Sequence, residues 1–183
     1  MTLPIYIYGT DVLREETKEI EADYPGLEKL IANMFETMYQ SDGVGLAAPQ
    51  VGKSIRLFVI DASPVAEDFE DSKDFKRVVI NPEIISSSEE VVSMWEGCLS
   101  LPGLSEKVER PASVTVKYLN ERFELVEETL HNFNARVFQH EYDHLEETLF
   151  TDKISPMRKQ MVKKKLQKMS RGNVSASYKM VTK

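Results

Sequence analysis

One cysteine, three histidines and one tryptophan are all that the 183 residues contain of those types. With Cys98 alone, no disulfide can close inside the chain, and a reducing compartment fits. No apolar run approaches the roughly 20 residues of a membrane-spanning helix. The start, Met1-Thr2-Leu3-Pro4, lacks the basic residues and apolar core of a secretory leader. The expectation is therefore a cytoplasmic protein that does not touch a membrane. Repeats, low-complexity blocks and interdomain linkers are also missing, which predicts one globular domain. Acidic residues are missing after Asp152, although the chain has 30 of them. Ten of the 23 basic residues fall in 153–183, so this tail carries +10 against −17 for the rest and −7 overall. That segregation divides an acidic body, 1–152, from a basic helical extension, 153–183, with a task of its own.

What is present reads as helices separated by short strands. Leu27, Leu30, Ile31, Met34, Phe35 and Met38 recur at helical spacing, and Pro25 suits the first turn of a helix running to about Gln40. The segment from Leu3 to Ile20 reads as an edge laid over the body. Ser41 to Gln50 holds two glycines, two alanines and a proline, a connection so free of bulk that backbone can approach another group. Strands are predicted at Ile55–Ile60, at 78–80 and 84–85 on either side of Asn81-Pro82, and at Val91–Trp95, with Pro102-Gly103 as a turn. Alternation in Ser113–Tyr118 and Phe123–Val126 around Asn120-Glu121-Arg122 predicts a hairpin. Ser155-Pro156 starts a last helix whose apolar stripe would be Ile154, Met157, Met161, Val162, Leu166 and Met169. The order predicts an α+β fold of mainly antiparallel sheets packed around a central helix, with a C-terminal helix.

The central helix would carry Gln139-His140-Glu141-Tyr142-Asp143-His144, with Asn132 or Asn134 as a cap. Residues four apart share one helix face, so His140 and His144 can grip one metal ion while Glu141 shuttles protons beside it. Paired histidines at this spacing also occur as satisfied core or surface residues. A catalytic metal needs three protein ligands and an open position. No histidine follows His144, and only Glu146, Glu147 and Asp152 remain as downstream acids. The third donor is then expected upstream: Cys98 is the foremost candidate, with His131 and many carboxylates as competitors. Two rival readings share this chemistry, a zinc endopeptidase cutting internal bonds and a structural metal module with closed coordination.

Three stretches, Gly43-Val44-Gly45-Leu46-Ala47-Ala48-Pro49-Gln50, Glu96-Gly97-Cys98-Leu99-Ser100 and Gln139 to His144, together resemble the three signature motifs of the peptide deformylases, in that family's order. The resemblance spans roughly residues 3–155. It implies removal of the formyl group from the N-terminal formylmethionine of nascent polypeptides, with formate released. Carried over residue by residue, it implies Cys98, His140 and His144 as metal ligands and Glu141 as proton shuttle. It further implies Gln50 and the backbone N–H of Leu99 as donors to the developing oxyanion. Gly43 and Gly45 would approach the substrate backbone, while Val44 and Val137 would hold the methionine side chain. Glu96 and Asp143 are candidates to orient the imidazoles. The implied cofactor is one divalent ion, ferrous iron with zinc, nickel or cobalt as substitutes. The implied partners are N-formylmethionyl peptides and, through the basic helix, the ribosome. Two positions depart from the family pattern: Glu147 stands where Gly is common, and the hairpin tip has no Gly.

Overall fold

The computed structural model describes residues 1–183. The chain runs β1 (Ile5–Tyr6), α1 (Leu27–Gln40), β2 (Gly45–Ala47), β3 (Leu57–Asp61), β4 (Lys76–Ser87), β5 (Val91–Cys98), β6 (Leu101–Pro111), β7 (Ser113–Leu119), β8 (Leu125–His131), α2 (Asn132–Leu145), α3 (Pro156–Ser170) and β9 (Met180–Val181). Five strands form an antiparallel sheet in the order β2-β3-β4-β7-β8, and β5 with β6 makes a separate hairpin. This is the expected α+β arrangement of antiparallel sheets around one helix.

Strand β3 explains why the five-stranded sheet is covered on both faces. Successive strand side chains point to opposite sides, and Leu57 to Ile60 are all fully buried. Phe58 and Ile60 pack with Val79, Val116 and the α2 residues Ala135, Val137 and Phe138; Phe58 meets Phe138 edge-on with centroids 5.0 Å apart. Leu57 and Val59 face the other way, onto Met34 and Met38 of α1. Truncating Phe138 would cost about 3–5 kcal/mol, the usual range for a buried aromatic. A third cluster joins Ile5 and Ile7 to Leu101, Leu104 and Val108 of β6 and to Val162 and Met169 of α3.

Several expectations need correction. The N-terminal segment is more than an edge laid over the body: Ile5 and Ile7 are fully buried, and β1 pairs in parallel with β9. The strands expected on either side of Asn81-Pro82 are one strand, β4, whose register shifts between Ile80 and Glu83. Asn81 takes φ +49°, and its side chain bonds the N–H and carbonyl of Ile20, so the irregularity is absorbed without breaking the strand. Pro102-Gly103 lies inside β6; the turn is at Leu99-Ser100, where Cys98 pairs with Leu101. Neither Asn132 nor Asn134 caps α2. Residue His131 holds the cap position without a side-chain bond, while Asn132 and Asn134 reach Asp71 and Ser72. In α3, Ser155 caps as expected and Pro156 opens the first turn. The apolar stripe is narrower than predicted, because Met157 and Met161 are 74% and 65% exposed.

Candidate metal centre

Strand β5 delivers Cys98 and helix α2 delivers two imidazoles. The tight turn after Cys98, with its register shift at Gly97, brings the thiol onto the helix. Cys98 Sγ lies 3.4 Å from Nε2 of His144, and one donor atom each from Cys98, His140 and His144 fall within 4.8 Å of one another. Nitrogen and sulfur ligands on one tetrahedral ion sit roughly 3.5 Å apart, given bonds of about 2.0–2.3 Å. The donor set therefore fits a single cation after a small contraction. His131, the rival donor, is exposed at the end of β8 beside Asp68 and Asp71, away from this cluster.

The imidazoles differ in support. Nδ1 of His140 is 2.8 Å from Oε1 of Glu96, which leaves Nε2 for a metal. Glu96 in turn accepts from Arg110 Nε at 2.6 Å, Arg110 Nη2 at 2.9 Å and Arg136 Nη1 at 2.6 Å. Burial works against the charge on Glu96, but the bonds from Arg110 and His140 outweigh it and hold the carboxyl well below its ordinary range. Asp143 does not orient an imidazole; it accepts from Arg110 Nη1 at 2.7 Å and braces that guanidinium. Nδ1 of His144 is buried without a partner. Burial and the nearby positive groups keep that ring neutral, the form that binds metals.

Glu141 is 3% exposed, and burial pushes its carboxyl up to about 7. Its Oε2 has no hydrogen-bond partner in the protein, an acceptor on the wall of a cavity of about 550 Å³. Gly45 is required by this closeness: a Cβ there would lie 2.9 Å from both Cγ and Oε1 of Glu141. Gln50 is pinned by Ala47 N–H on its Oε1 at 2.9 Å, and its Nε2 donates to Ser100 Oγ at 3.1 Å and Cys98 Sγ at 3.4 Å. Gly43, Val44, Leu99 and Val137 line the same cavity, so the candidate residues converge on it.

Three groups of neighbours were not anticipated. Arg110 and Arg136 carry the charge balance, and both left a trace in the sequence. Arg110 shares a strand face with Leu104, Glu106 and Val108, all buried, and Arg136 sits one turn before His140 on the buried side of α2. A cation on such a face needs an acid. The third group is the chain end: Ser175 to Tyr178 line the cavity, and Tyr178 donates its hydroxyl to the carbonyl of Leu99 at 2.5 Å. Burial and the Cys98 charge push the Tyr178 phenol up to about 12, so it remains a donor.

Structural metal sites use every coordination position for protein atoms, whereas three donors beside a cavity and a partnerless carboxyl define a hydrolytic metalloenzyme. Comparison with known proteins narrows that class. The family model for polypeptide deformylase matches residues 2–160, and the chain belongs to that family. It is 47% identical to the peptide deformylase of Christiangramia forsetii, over 98% of this chain and 95% of the relative, and 44% identical to that of Salinibacter ruber, over 100% and 96%. Among solved structures it resembles peptide deformylase from Thermotoga maritima (TM-score 0.77, 45% identity, 85% of this chain and 99% of that one). It also resembles Arabidopsis thaliana peptide deformylase 1B in complex with an inhibitor (TM-score 0.84, 32% identity, 97% and 98%). The activity of the family is metal-dependent hydrolysis of formyl-methionyl peptides.

Proposed function

We propose that Cys98, His140 and His144 together hold one divalent cation, ferrous iron in the cell with zinc, nickel or cobalt able to replace it, and that the neighbouring residues remove formyl groups from formylmethionyl peptides. The convergence of one thiol and two imidazoles beside Glu141 carries this reading. A cation held there would supply Lewis acidity, lowering the pKa of water toward about 7 and polarising the formyl carbonyl. Glu141 accepts the proton of the attacking water and returns it to the leaving α-amine. A carbon–oxygen bond forms, the formyl carbon–nitrogen bond breaks, and formate departs. The N–H of Leu99 and the amide of Gln50 donate to the formyl oxygen as its charge grows. Gly43 and Gly45 let the substrate main chain approach, and Val44 with Val137 forms the apolar seat for the methionine side chain.

Formate release from formyl-Met-Ala-Ser, with metal content measured on the same samples, tests this. Wild type releases formate; Glu141→Ala loses about 10²–10⁴ of the rate, the usual contribution of a proton shuttle, and keeps its metal. Undiminished release by Glu141→Ala, or cleavage of internal bonds in place of formate release, would overturn the reading.

The reading extends to location. We assign the reaction to the cytoplasm at the ribosome, with 1–152 as the catalytic domain and 153–183 as its basic extension. No helix is long and apolar enough to cross a membrane. Lys159, Lys163, Lys164 and Lys168 are exposed on α3, whereas Arg158 is engaged by Glu106 and Lys165 by the carbonyl of Gly103. A surface of this kind suits ribosomal RNA. Replacing the four free lysines by Gln is expected to reduce co-sedimentation with ribosomes at low salt and to spare formate release from a short peptide. Equal sedimentation would end the ribosome assignment.

A further inference from the structure

The family match ends at residue 160, yet the chain beyond α3 returns to the cavity. Gly172, at φ +82°, reverses the direction: its N–H bonds the carbonyl of Met169, and Asn173 N–H that of Lys168. A strap without regular secondary structure follows, bending at Ser177-Tyr178. Val174, Tyr178 and Met180 pack inward on the third core cluster, and β9 anchors the end to β1 through Ile5 N–H to Lys179 O and Ile7 N–H to Val181 O, both 2.9 Å. Between these anchors, the main-chain groups of Ser175, Ala176 and Ser177 make no hydrogen bond within the protein. The same three residues, with Tyr178, line the cavity that holds Cys98, His140 and Glu141.

Tyr178 does more than border the cavity. Its hydroxyl grips the carbonyl of Leu99, while Tyr8 N–H grips that of Ser100 at 2.8 Å. Both carbonyls of the turn after Cys98 are therefore fixed by the two chain ends, which β1 and β9 join. That turn carries the Leu99 N–H assigned above to the formyl oxygen.

We propose that the C-terminal strap is a specificity-determining wall of the substrate cleft. Ser175 to Ser177 meet the main chain of the residues that follow formylmethionine, and Tyr178 is a positioning residue that acts through Leu99. Main-chain donors and acceptors left unused beside the cavity are groups that a peptide main chain can bond. The inference rests on the deformylase reading and deepens it.

Formate release from formyl-Met-Ala-Ser and from the shorter formyl-methionine amide separates the two roles. Ser177 is exposed, so Ser177→Trp obstructs the wall without entering the core. It is expected to raise KM for the tripeptide about tenfold and that for the amide less than twofold, a loss confined to uniform binding of the longer substrate. Tyr178→Phe keeps the ring and loses one hydrogen bond; it is expected to lower kcat on both substrates alike, by about three- to tenfold. Equal KM changes on both substrates, or none, in Ser177→Trp would overturn the wall, and an unchanged kcat in Tyr178→Phe would overturn the positioning role. A wild type that releases formate while both variants match it fails this inference alone. A wild type that releases none from either substrate fails the deformylase reading as well.

Discussion

The metal centre and the C-terminal strap reach the same turn, Leu99-Ser100, by different means. On the centre's side the polar groups are buried and bonded to one another: Glu96, Arg110 and Arg136 are 6%, 3% and 4% exposed, and each has two or more partners. On the strap's side a single phenol makes the contact, and the flanking backbone has no partner in the protein. The difference follows from the tasks proposed for each. Ligand atoms that must share one cation need geometry fixed to a fraction of an ångström, which only packed and satisfied side chains provide. A wall that meets variable peptide residues can be built from surface chain.

The largest expected effect lies in the centre. Glu96→Gln takes the carboxylate from two buried guanidinium groups and from Nδ1 of His140. Removing one partner of such a buried network costs about 3–5 kcal/mol, and losing the acid behind a ligating imidazole weakens metal binding about 10–100-fold. Urea denaturation and chelator competition measure the two losses. Changes no larger than those of an exposed substitution would erase the contrast between the regions.

A smaller effect is expected where α2 hands the chain on toward the tail. Glu147 adopts φ +59°, a left-handed conformation that costs an ordinary residue about 1–2 kcal/mol. Glycine relieves that strain and gives part of it back through its freer unfolded chain, so Glu147→Gly should stabilise by about 0.5–1 kcal/mol in thermal denaturation. The site's chemistry should be untouched, since only the carbonyl of Glu147 is engaged, by Arg14 Nη1 at 2.9 Å. A destabilised variant would show that Glu147 contributes more than its backbone.

Much of the centre was legible in the sequence because its parts are local. His140, Glu141 and His144 lie within five residues, the shortage of cysteine and histidine narrowed the third donor, and the small residues around Gly45 announced a close approach. The arginine network was not, since Arg110 and Arg136 meet Glu96 across 14 and 40 residues of chain. Buried faces on β6 and α2 hinted that each needed an acid without naming which. The strap was illegible for a different reason. Its alternation of inward and outward residues is shared by any extended tail, and its place depends on pairing with β1 more than 170 residues earlier. Asn81-Pro82 misled because proline and a turn-forming asparagine usually end a strand, whereas here the Asn81 side chain repairs the ladder through Ile20.

The most direct test of the central claim is the divalent metal content of the purified protein beside that of Cys98→Ala. Wild type is expected to hold about one equivalent per chain and Cys98→Ala a small fraction of it after the same dialysis, because a three-ligand site reduced to two imidazoles loses its grip. A full equivalent retained without the sulfur would contradict the shared site on which the rest is built.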